Sequence, residues 1–430
     1  MQALGRRTAV LAVVALLAAC GRFGASRAEL VDADVYLVVV DGLGANVAGP
    51  EHMPRLAAVM RRSNASWLTA TAVIPTLTNP NHASLLTGVH PEAHGITGNR
   101  YGTGGAGRDL DDPSLLEMET LFTAIARQRP TFGTVAVLGK SKLRRLFAPA
   151  PAQRGPGWSW SPMPVDAYGD DVRAMTEFRA LVRAHRPRFG LLAIGDVDRM
   201  GHRSGPRSAE YLEAIEHADV LIAGFLDDLR RDDRWERAVV LVTADHGFDA
   251  MRPGTTGLIE ARSLGRRGAV IVPDCRVAHV YAGSGDPTAG EKRLQAIARR
   301  AKRHPGVAAT YALSASAVAV PPPDDWHVRH PRAGDLLLMA RPGYGFVDGP
   351  SDPVRSFRGN HGASAERFVP LFVAGGHPAL RKAPATVRPS SVDVAPTIAR
   401  LLGLEPPRRV DGGQIPPNSA GRAIEELFVP

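Results

Sequence analysis

Aspartates and histidines gather at three points of the chain, each just after an apolar run. Asp41 follows Val35-Tyr36-Leu37-Val38-Val39-Val40, Asp198 follows Phe189-Gly190-Leu191-Leu192-Ala193-Ile194, and Asp245 follows Val239-Val240-Leu241-Val242. Continuous apolar runs of this kind read as buried parallel strands. In open α/β sheets, ligands lie outside the carboxyl ends of the strands. One acid there is an ordinary cap or turn residue, whereas three point to a single convergent acidic site. Two imidazoles accompany them: His246 directly follows Asp245, and His202 stands four positions after Asp198. Asp and His together are ligands for zinc or a similar borderline metal. A lone histidine is more often a satisfied core or surface group; the paired spacing at strand ends decides for metal.

A second stretch, Pro75-Thr76-Leu77-Thr78-Asn79-Pro80-Asn81-His82-Ala83-Ser84, reads as a turn running into a helix that Ala83 to Leu86 propagate until Gly88. Pro80 suits the first helical residue, where its missing N–H costs nothing. The Thr78 hydroxyl then lies among free N–H groups and the positive end of the macrodipole, a place for a phosphate or another anion. On its own, Thr is also a common cap without chemistry.

The elements that must position these groups alternate. Helical patterns at Met53 to Arg61, Leu115 to Arg127, Asp171 to His185 and Ser208 to Arg230 separate the apolar runs, together with a strand at Thr134 to Leu138 that leads to Lys140 and Lys142. Pro370 to Ala374 reads as a late core strand and Asp393 to Leu402 as a closing helix. This alternation predicts an α/β fold, a doubly wound, mostly parallel sheet with helices on both faces. Residues 257–345 differ, with strands at Ala278 to Ala282, Thr310 to Val320 and Asp335 to Ala340 and a basic helix at Gly290 to Arg303, and read as a smaller inserted α+β subdomain. The catalytic core is accordingly expected in 33–256 and 346–405, with 406–430 a C-terminal tail. Residues 148–164, rich in Pro, Gly and Trp, read as a surface loop.

Residues 1–19 read as an export signal. Arg6 and Arg7 form a basic start, and Ala9 to Leu17 an apolar stretch too short to span a bilayer. Leu17-Ala18-Ala19-Cys20 resembles the bacterial lipobox, so lipidation is expected at Cys20, with 20–32 as a tether. That places the chain outside the cytoplasm, lipid-anchored at the cell envelope, in a bacterial periplasm or at the cell surface. Cleavage before Cys20 removes two arginines and no acid, taking the net charge from +9 to +7. The positive residues are scattered and no long basic run is interleaved with aromatics, so no nucleic-acid partner is expected. Cys275 would be the other thiol, read as a small buried residue.

The motifs in order resemble the alkaline phosphatase superfamily, in its nucleotide pyrophosphatase/phosphodiesterase branch. The pieces are Val40-Asp41-Gly42, Thr78-Asn79-Pro80-Asn81-His82, Leu86-Thr87-Gly88, Pro91-Glu92-Ala93-His94-Gly95-Ile96 with Asn99, Asp198 to His202, Thr243 to Gly247, and Gly359-Asn360-His361-Gly362. The resemblance implies two Zn2+ ions, one held by Asp198, His202 and His361, the other by Asp41, Asp245, His246 and the Thr78 oxygen. It implies Thr78 as nucleophile and Asn99 as a hydrogen-bond donor to a phosphoryl oxygen. The activity implied is hydrolysis of a small phosphodiester or pyrophosphate through a phospho-threonine intermediate.

Two departures bear on the substrate. Members acting on nucleotides usually carry an aromatic after the nucleophile and often a Tyr four positions further on; Asn79 and Ala83 stand there. Thr78-Asn79-Pro80-Asn81 and Lys140-Ser141-Lys142-Leu143 also resemble phosphonoacetate hydrolases of the same superfamily, in which case Lys140 and Lys142 would grip a substrate carboxylate. The formylglycine motif of sulfatases does not match Thr78 and His82. A non-catalytic binding lipoprotein on the same fold is the alternative from another class; the complete ligand set speaks against it.

Overall fold

The computed structural model describes residues 33–62, 64–103, 106–148, 158–160, 171–314 and 319–429. The expected leader, Cys20 and the tether lie outside the described residues.

The strands of the main sheet are β1 (Asp34–Val40), β2 (Ser66–Thr71), β3 (Thr134–Leu138), β4 (Trp158–Trp160), β5 (Phe189–Ile194), β6 (Ala238–Thr243) and, late in the chain, Phe368–Ala374. Their order is β2, Phe368–Ala374, β6, β1, β5, β3, β4. All neighbours are parallel except at Phe368–Ala374, which runs antiparallel to both β6 and β2. The mostly parallel α/β sheet expected from the sequence is therefore present. Every residue of β1, β5 and β6 is buried, as befits strands covered on both faces.

The helices longer than one turn are α1 (Pro54–Arg62), α2 (Thr78–Thr87), α3 (Leu121–Gln128), α4 (Ser141–Phe147), α5 (Asp171–His185), α6 (Asp196–Ser204), α7 (Ala209–Arg231), α8 (Pro287–Arg303) and α9 (Val394–Leu401). Neighbouring in-register residues of a sheet point to the same face. On one face Tyr36 of β1 meets Phe178 of α5 and Phe225 of α7 edge-on, with ring centroids 6.3 and 5.2 Å apart. On the other, Phe189 of β5 meets Phe122 of α3 at 5.1 Å. Gly190 lies opposite Tyr36 because a Cβ there would come within 2.9 Å of its ring.

A second sheet is wholly antiparallel. It contains β7 (Val270–Asp274), β8 (Val277–Tyr281), β9 (Val307–Ala312) and β10 (Leu336–Ala340), in the order β7, β8, β10, β9. Leu294, Ile297 and Ala301 of α8 pack with Val280 and Leu338 of this sheet into a separate apolar core. β7 and β8 pair from Val270 with Tyr281 to Asp274 with Val277, leaving Cys275-Arg276 as a two-residue turn. Cys275 adopts φ 61 there and is only partly buried, which corrects its reading as a buried residue.

Other differences have local causes. The helix read from Leu115 begins only at Leu121, because the Thr120 hydroxyl accepts the Thr123 N–H and fixes the start. The stretch read as a loop contains β4, which pairs in parallel with β3. β7 carries no clear strand signal in the sequence, since Pro273 interrupts its pattern. The strand read at 310–320 lies at Val307–Ala312.

Candidate metal centre and active site

The carboxyl ends of the central strands bring the expected side chains together. Asp41 follows β1, Lys140 follows β3, Asp198 lies in the first turn of α6 after β5, and Asp245 follows β6. Gly42 turns the chain at φ 81 directly after Asp41, and a Cβ there would stand 3.0 Å from the Asp198 Cα. In α6 the four-residue spacing of Asp198 and His202 puts both on one face, with Nε2 of His202 3.5 Å from Asp198 Oδ1.

Two donor sets result: Asp198, His202 and His361, and Asp41, Asp245 and His246; within each, the ligand atoms all lie within 4.8 Å of one another and the residues are buried. In the first, His361 Nε2 is 3.8 Å from Asp198 Oδ1 and 3.2 Å from His202 Nε2. In the second, His246 Nε2 is 3.3 Å from Asp245 Oδ2 and 3.6 Å from Asp41 Oδ1. The sets adjoin: the His246 and His361 rings stack with centroids 3.5 Å apart.

The tautomers suit a metal. Nδ1 of His202, His246 and His361 faces the carbonyl oxygens of Gly359, Gly247 and Thr76 at 3.1, 3.1 and 2.8 Å. A carbonyl only accepts, so each Nδ1 carries the hydrogen and each Nε2 presents a lone pair to the centre. Burial pushes all three imidazoles below their ordinary pKa, leaving them neutral and ligand-competent. Asp41 Oδ1, Asp198 Oδ1, Asp245 Oδ2 and His246 Nε2 are buried without a hydrogen-bond partner. Buried polar atoms rarely go unsatisfied, and divalent cations fit these donors.

Thr78 is the first residue of α2, after an extended Leu77, and is buried. It opens on a cavity of about 510 Å3 that Asn99, Lys142, Asp198, His202 and His361 also line. The nucleophile candidate and the first donor set thus meet at one cavity. The sequence of this chain matches the family model described as type I phosphodiesterase / nucleotide pyrophosphatase over residues 35–364.

The chain belongs to this family.

Among curated proteins, it is 28% identical to ectonucleotide pyrophosphatase/phosphodiesterase family member 3 of Rattus norvegicus over 192 residues, which cover 41% of this chain and 20% of that protein. The chain thus spans about a fifth of that relative's length. Among solved structures, it resembles murine ectonucleotide pyrophosphatase/phosphodiesterase 5, with TM-score 0.70 and 21% identity over 92% of this chain and all of that one. It also resembles phosphonoacetate hydrolase from Sinorhizobium meliloti in complex with phosphonoformate, with TM-score 0.63 and 21% identity over 86% of this chain and 96% of that one. At this identity the two likenesses show a shared fold, the alkaline phosphatase-like α/β architecture.

In this phosphodiesterase-family member Lys140 and Lys142 both border the cavity but have different partners. Lys140 Nζ is 2.7 Å from Asp198 Oδ2 and 2.8 Å from Asp41 Oδ2, so at the cavity wall it bridges one carboxylate of each donor set. Burial works against its charge, but the carboxylates of Asp198, Asp41 and Asp245 more than offset it. The same contacts hold Asp198 well below the carboxylate range although burial pushes the other way, while burial pushes Asp41 and Asp245 up. Lys142 lies beside the cavity, its Nζ 3.2 Å from Asn99 Oδ1.

The helix end also offers fewer N–H groups to an anion than the sequence suggested. Asn79 N–H donates to Asn99 Oδ1 at 3.0 Å, Asn81 N–H donates to Leu77 O at 3.2 Å, and Pro80, third in the helix, has none. The Asn81 side chain locks the approach to Thr78 by accepting from Val73 N and donating to Val73, Pro75 and Leu77 carbonyls.

Several residues escaped the sequence reading as site components. His82, one turn after Thr78, donates Nδ1–H to Thr78 O at 3.0 Å and lies 3.5 Å from Asp245 Oδ2. Its i, i+4 spacing from Thr78 was the available signal. Arg276, Glu366 and Asp274 gave none, because their partners are far away in sequence. Arg276 N–H donates to His361 O at 2.9 Å, and its buried guanidinium bonds Glu366. Glu366 in turn accepts from Ala363 N at 2.8 Å, in the loop that carries His361. Asp274 accepts from Asn99 N at 2.7 Å.

Proposed function

We propose that this chain is a two-zinc phosphoric ester or anhydride hydrolase of the phosphodiesterase or nucleotide pyrophosphatase type, acting through a phospho-Thr78 intermediate. The observation that carries this reading is the buried Asp198/His202/His361 donor set opening, with Thr78, on one cavity, and the second buried set, Asp41/Asp245/His246, stacked directly behind it through His246 and His361. Asp198, His202 and His361 would hold one ion; Asp41, Asp245 and His246, with the Thr78 oxygen, the other. When bound, the ions supply Lewis-acid stabilisation of the attacking and leaving oxygens and neutralise phosphoryl charge.

The chain's own residues do the rest. The rigid start of α2 fixes the Thr78 hydroxyl in the cavity wall. Thr78 Oγ1 passes its proton to water and bonds phosphorus, while the bond to the leaving oxygen breaks and that oxygen departs with the bonding pair, taking a proton from water. Water then adds to phosphorus, the Thr78–phosphorus bond breaks, and the hydroxyl is restored. The Asn99 side-chain N–H donates to a phosphoryl oxygen as charge builds there. The buried donor residues keep bulk water from competing at the first step.

The test is hydrolysis of bis-p-nitrophenyl phosphate against p-nitrophenyl phosphate, with metal content measured before and after chelation. Diesterase activity lost with zinc and regained on re-addition supports the proposal; activity undiminished after thorough zinc removal overturns it. A protein that holds no zinc and cleaves no ester, anhydride or phosphonate would instead be a non-catalytic binding protein.

A second reading is carbon–phosphorus hydrolysis of a small carboxylated phosphonate. Lys142, beside the cavity and next to Asn99, favours it. Phosphate release from phosphonoacetate that is lost in Lys142→Ala would support it, and no release at all would discard it.

We further propose, from the lipobox-like Leu17 to Cys20, that the protein is exported and lipid-anchored at the bacterial cell envelope. Among the described residues, no helix is long and apolar enough to cross a membrane. Cys20→Ser should release the protein from the membrane fraction, and retention of that variant would refute the anchor.

A further inference from the structure

Asn99 is placed by the antiparallel sheet rather than by the element that carries it. Its side-chain amide faces three fixed partners. Oδ1 accepts the Asn79 backbone N–H at 3.0 Å and faces Lys142 Nζ at 3.2 Å. Nδ2 donates to Asp274 Oδ1 at 3.3 Å. A backbone N–H and an ammonium only donate, and a carboxylate accepts, so the three contacts leave one orientation of the amide. One Nδ2 hydrogen is then committed to Asp274 and the second remains on the side chain that lines the cavity beside Thr78.

Asp274 is itself rigidly held. It is buried, ends β7, and pairs with Val277 across the Cys275-Arg276 turn. Its Oδ2 also accepts the backbone N–H groups of Asn99 and Arg100 at 2.7 and 3.2 Å. The carboxylate therefore grips Asn99 at backbone and side chain together. On the far side of the same turn, Arg276 N–H fastens the His361 carbonyl. One hairpin turn thus braces both the phosphoryl-facing amide and a metal-ligand loop. A Cβ on Gly98 would stand 3.0 Å from Asp274 Oδ2 and 3.1 Å from His279 Nε2, so the approach of the chain to this carboxylate is close.

We infer that Asp274 is a positioning residue for the hydrolysis proposed above: it sets the orientation of the Asn99 amide so that the remaining Nδ2–H points at the phosphoryl oxygen of the substrate. This rests on the hydrolase reading and adds a residue from outside the main sheet to it. Asp274 borders the same cavity but belongs to neither donor set, and its carboxylate oxygens are engaged by Asn99 and Arg100, so its effect runs through Asn99.

The experiment is a double-mutant cycle on the zinc-loaded full chain, reading kcat and KM with bis-p-nitrophenyl phosphate and zinc per chain. Losing a whole oxyanion donor lowers kcat by about 100- to 1000-fold, and mis-aiming it costs part of that. Asp274→Ala should lower kcat by about 10- to 100-fold with little change in KM or zinc content. Asp274→Asn, of equal size, should also lose rate: if its oxygen serves the two backbone N–H groups, its NH2 confronts the Asn99 NH2. In the Asn99→Ala background, either substitution should change kcat less than about threefold. Full additivity of the two losses, or wild-type kcat in both Asp274 variants, overturns the inference. Loss of zinc in step with kcat would likewise overturn it, by showing a general collapse of the site. A wild-type chain that hydrolyses nothing would instead refute the underlying hydrolase reading.

Discussion

Replacing Arg276 by Met tests how the loop bearing His361 is held. The Arg276 side chain is 1% exposed and pairs with the Glu366 carboxylate, itself fully buried, and with Asp249 Oδ2 at 3.0 Å. Its backbone N–H would remain on His361 O in the variant; what is lost is the guanidinium. Removing one partner of a buried pair strands the other charge, and this costs about 3–5 kcal/mol. Glu366 retains only the Ala363 N–H at 2.8 Å and the Thr76 hydroxyl at 3.5 Å. Burial already pushes Glu366 up to about 7, with Arg276 pulling the other way. Without Arg276 the folded carboxyl rises further above the ~4.3 of an unfolded chain. Between those two values the folded state binds the extra proton, so stability falls as pH rises through the window. The cost of Arg276→Met should therefore be largest near pH 8 and shrink towards about pH 5, where Glu366 is neutral. Adding Glu366→Gln removes the stranded charge and should recover at least half of the loss. Urea denaturation of wild type, single and double variants at both pH values measures this, with zinc affinity as a second readout, weakened in the single variant. A loss below about 1 kcal/mol, or a double variant no more stable than the single, would refute the reasoning.

Three further outcomes are expected. Asp171 is buried beside Asp196 and its carboxyl is pushed up to about 7, chiefly by burial and then by that like charge. The folded state thus holds a proton that the unfolded state releases near 4, and stability falls as pH rises between them. Asp171→Asn, measured by denaturation across that range, should flatten this slope, which for one group is at most about 1.4 kcal/mol per pH unit; an unchanged slope would contradict it. Asp245→Ala should lower zinc content and turnover together, with affinity at least about 100-fold weaker by competition with a chelator, whereas unaltered affinity would remove Asp245 from the ligands. Thr78→Ser keeps a hydroxyl at the start of α2 but loses the methyl that restricts χ1, and should stay within about 100-fold of the wild-type kcat; a rate equal to that of Thr78→Ala would show that a hydroxyl there is not enough.

Much of this architecture is legible in the sequence because its signals are local. The runs at 35–40, 189–194 and 239–242 are apolar throughout since both faces of those strands are covered, and the acids that follow them mark the ligand end of a parallel sheet. Five of the six donors that the structure gathers are legible in this way; the sixth, His361, is marked only by the resemblance of Gly359-Asn360-His361-Gly362 to the family motif. What stayed hidden depends on contacts distant in sequence. Asp274 meets Asn99 across 175 positions and Arg276 meets Glu366 across 90, and no spacing rule reaches either pair. The substrate role expected of Lys140 rests on the resemblance of Lys140-Ser141-Lys142-Leu143 to phosphonoacetate hydrolases; that its ammonium lies between Asp41 and Asp198 follows from how three strand ends converge, which no local pattern shows. The sequence places the first helical residue at Pro80, whereas the helix begins two residues earlier, at Thr78; the use of the Asn79 N–H by Asn99 has no local signal, since that bond joins the helix start to a loop twenty positions on.

The central claim is that Thr78 is the nucleophile of a two-metal site. Its most direct test is Thr78→Ala, assayed for zinc per chain and for turnover of bis-p-nitrophenyl phosphate. The six Asp and His donors remain in that variant, so zinc content should stay nearly intact while kcat falls by about a thousandfold or more. Near-native turnover with zinc in place would contradict covalent catalysis at Thr78 and leave that residue as the first residue of α2 and nothing more.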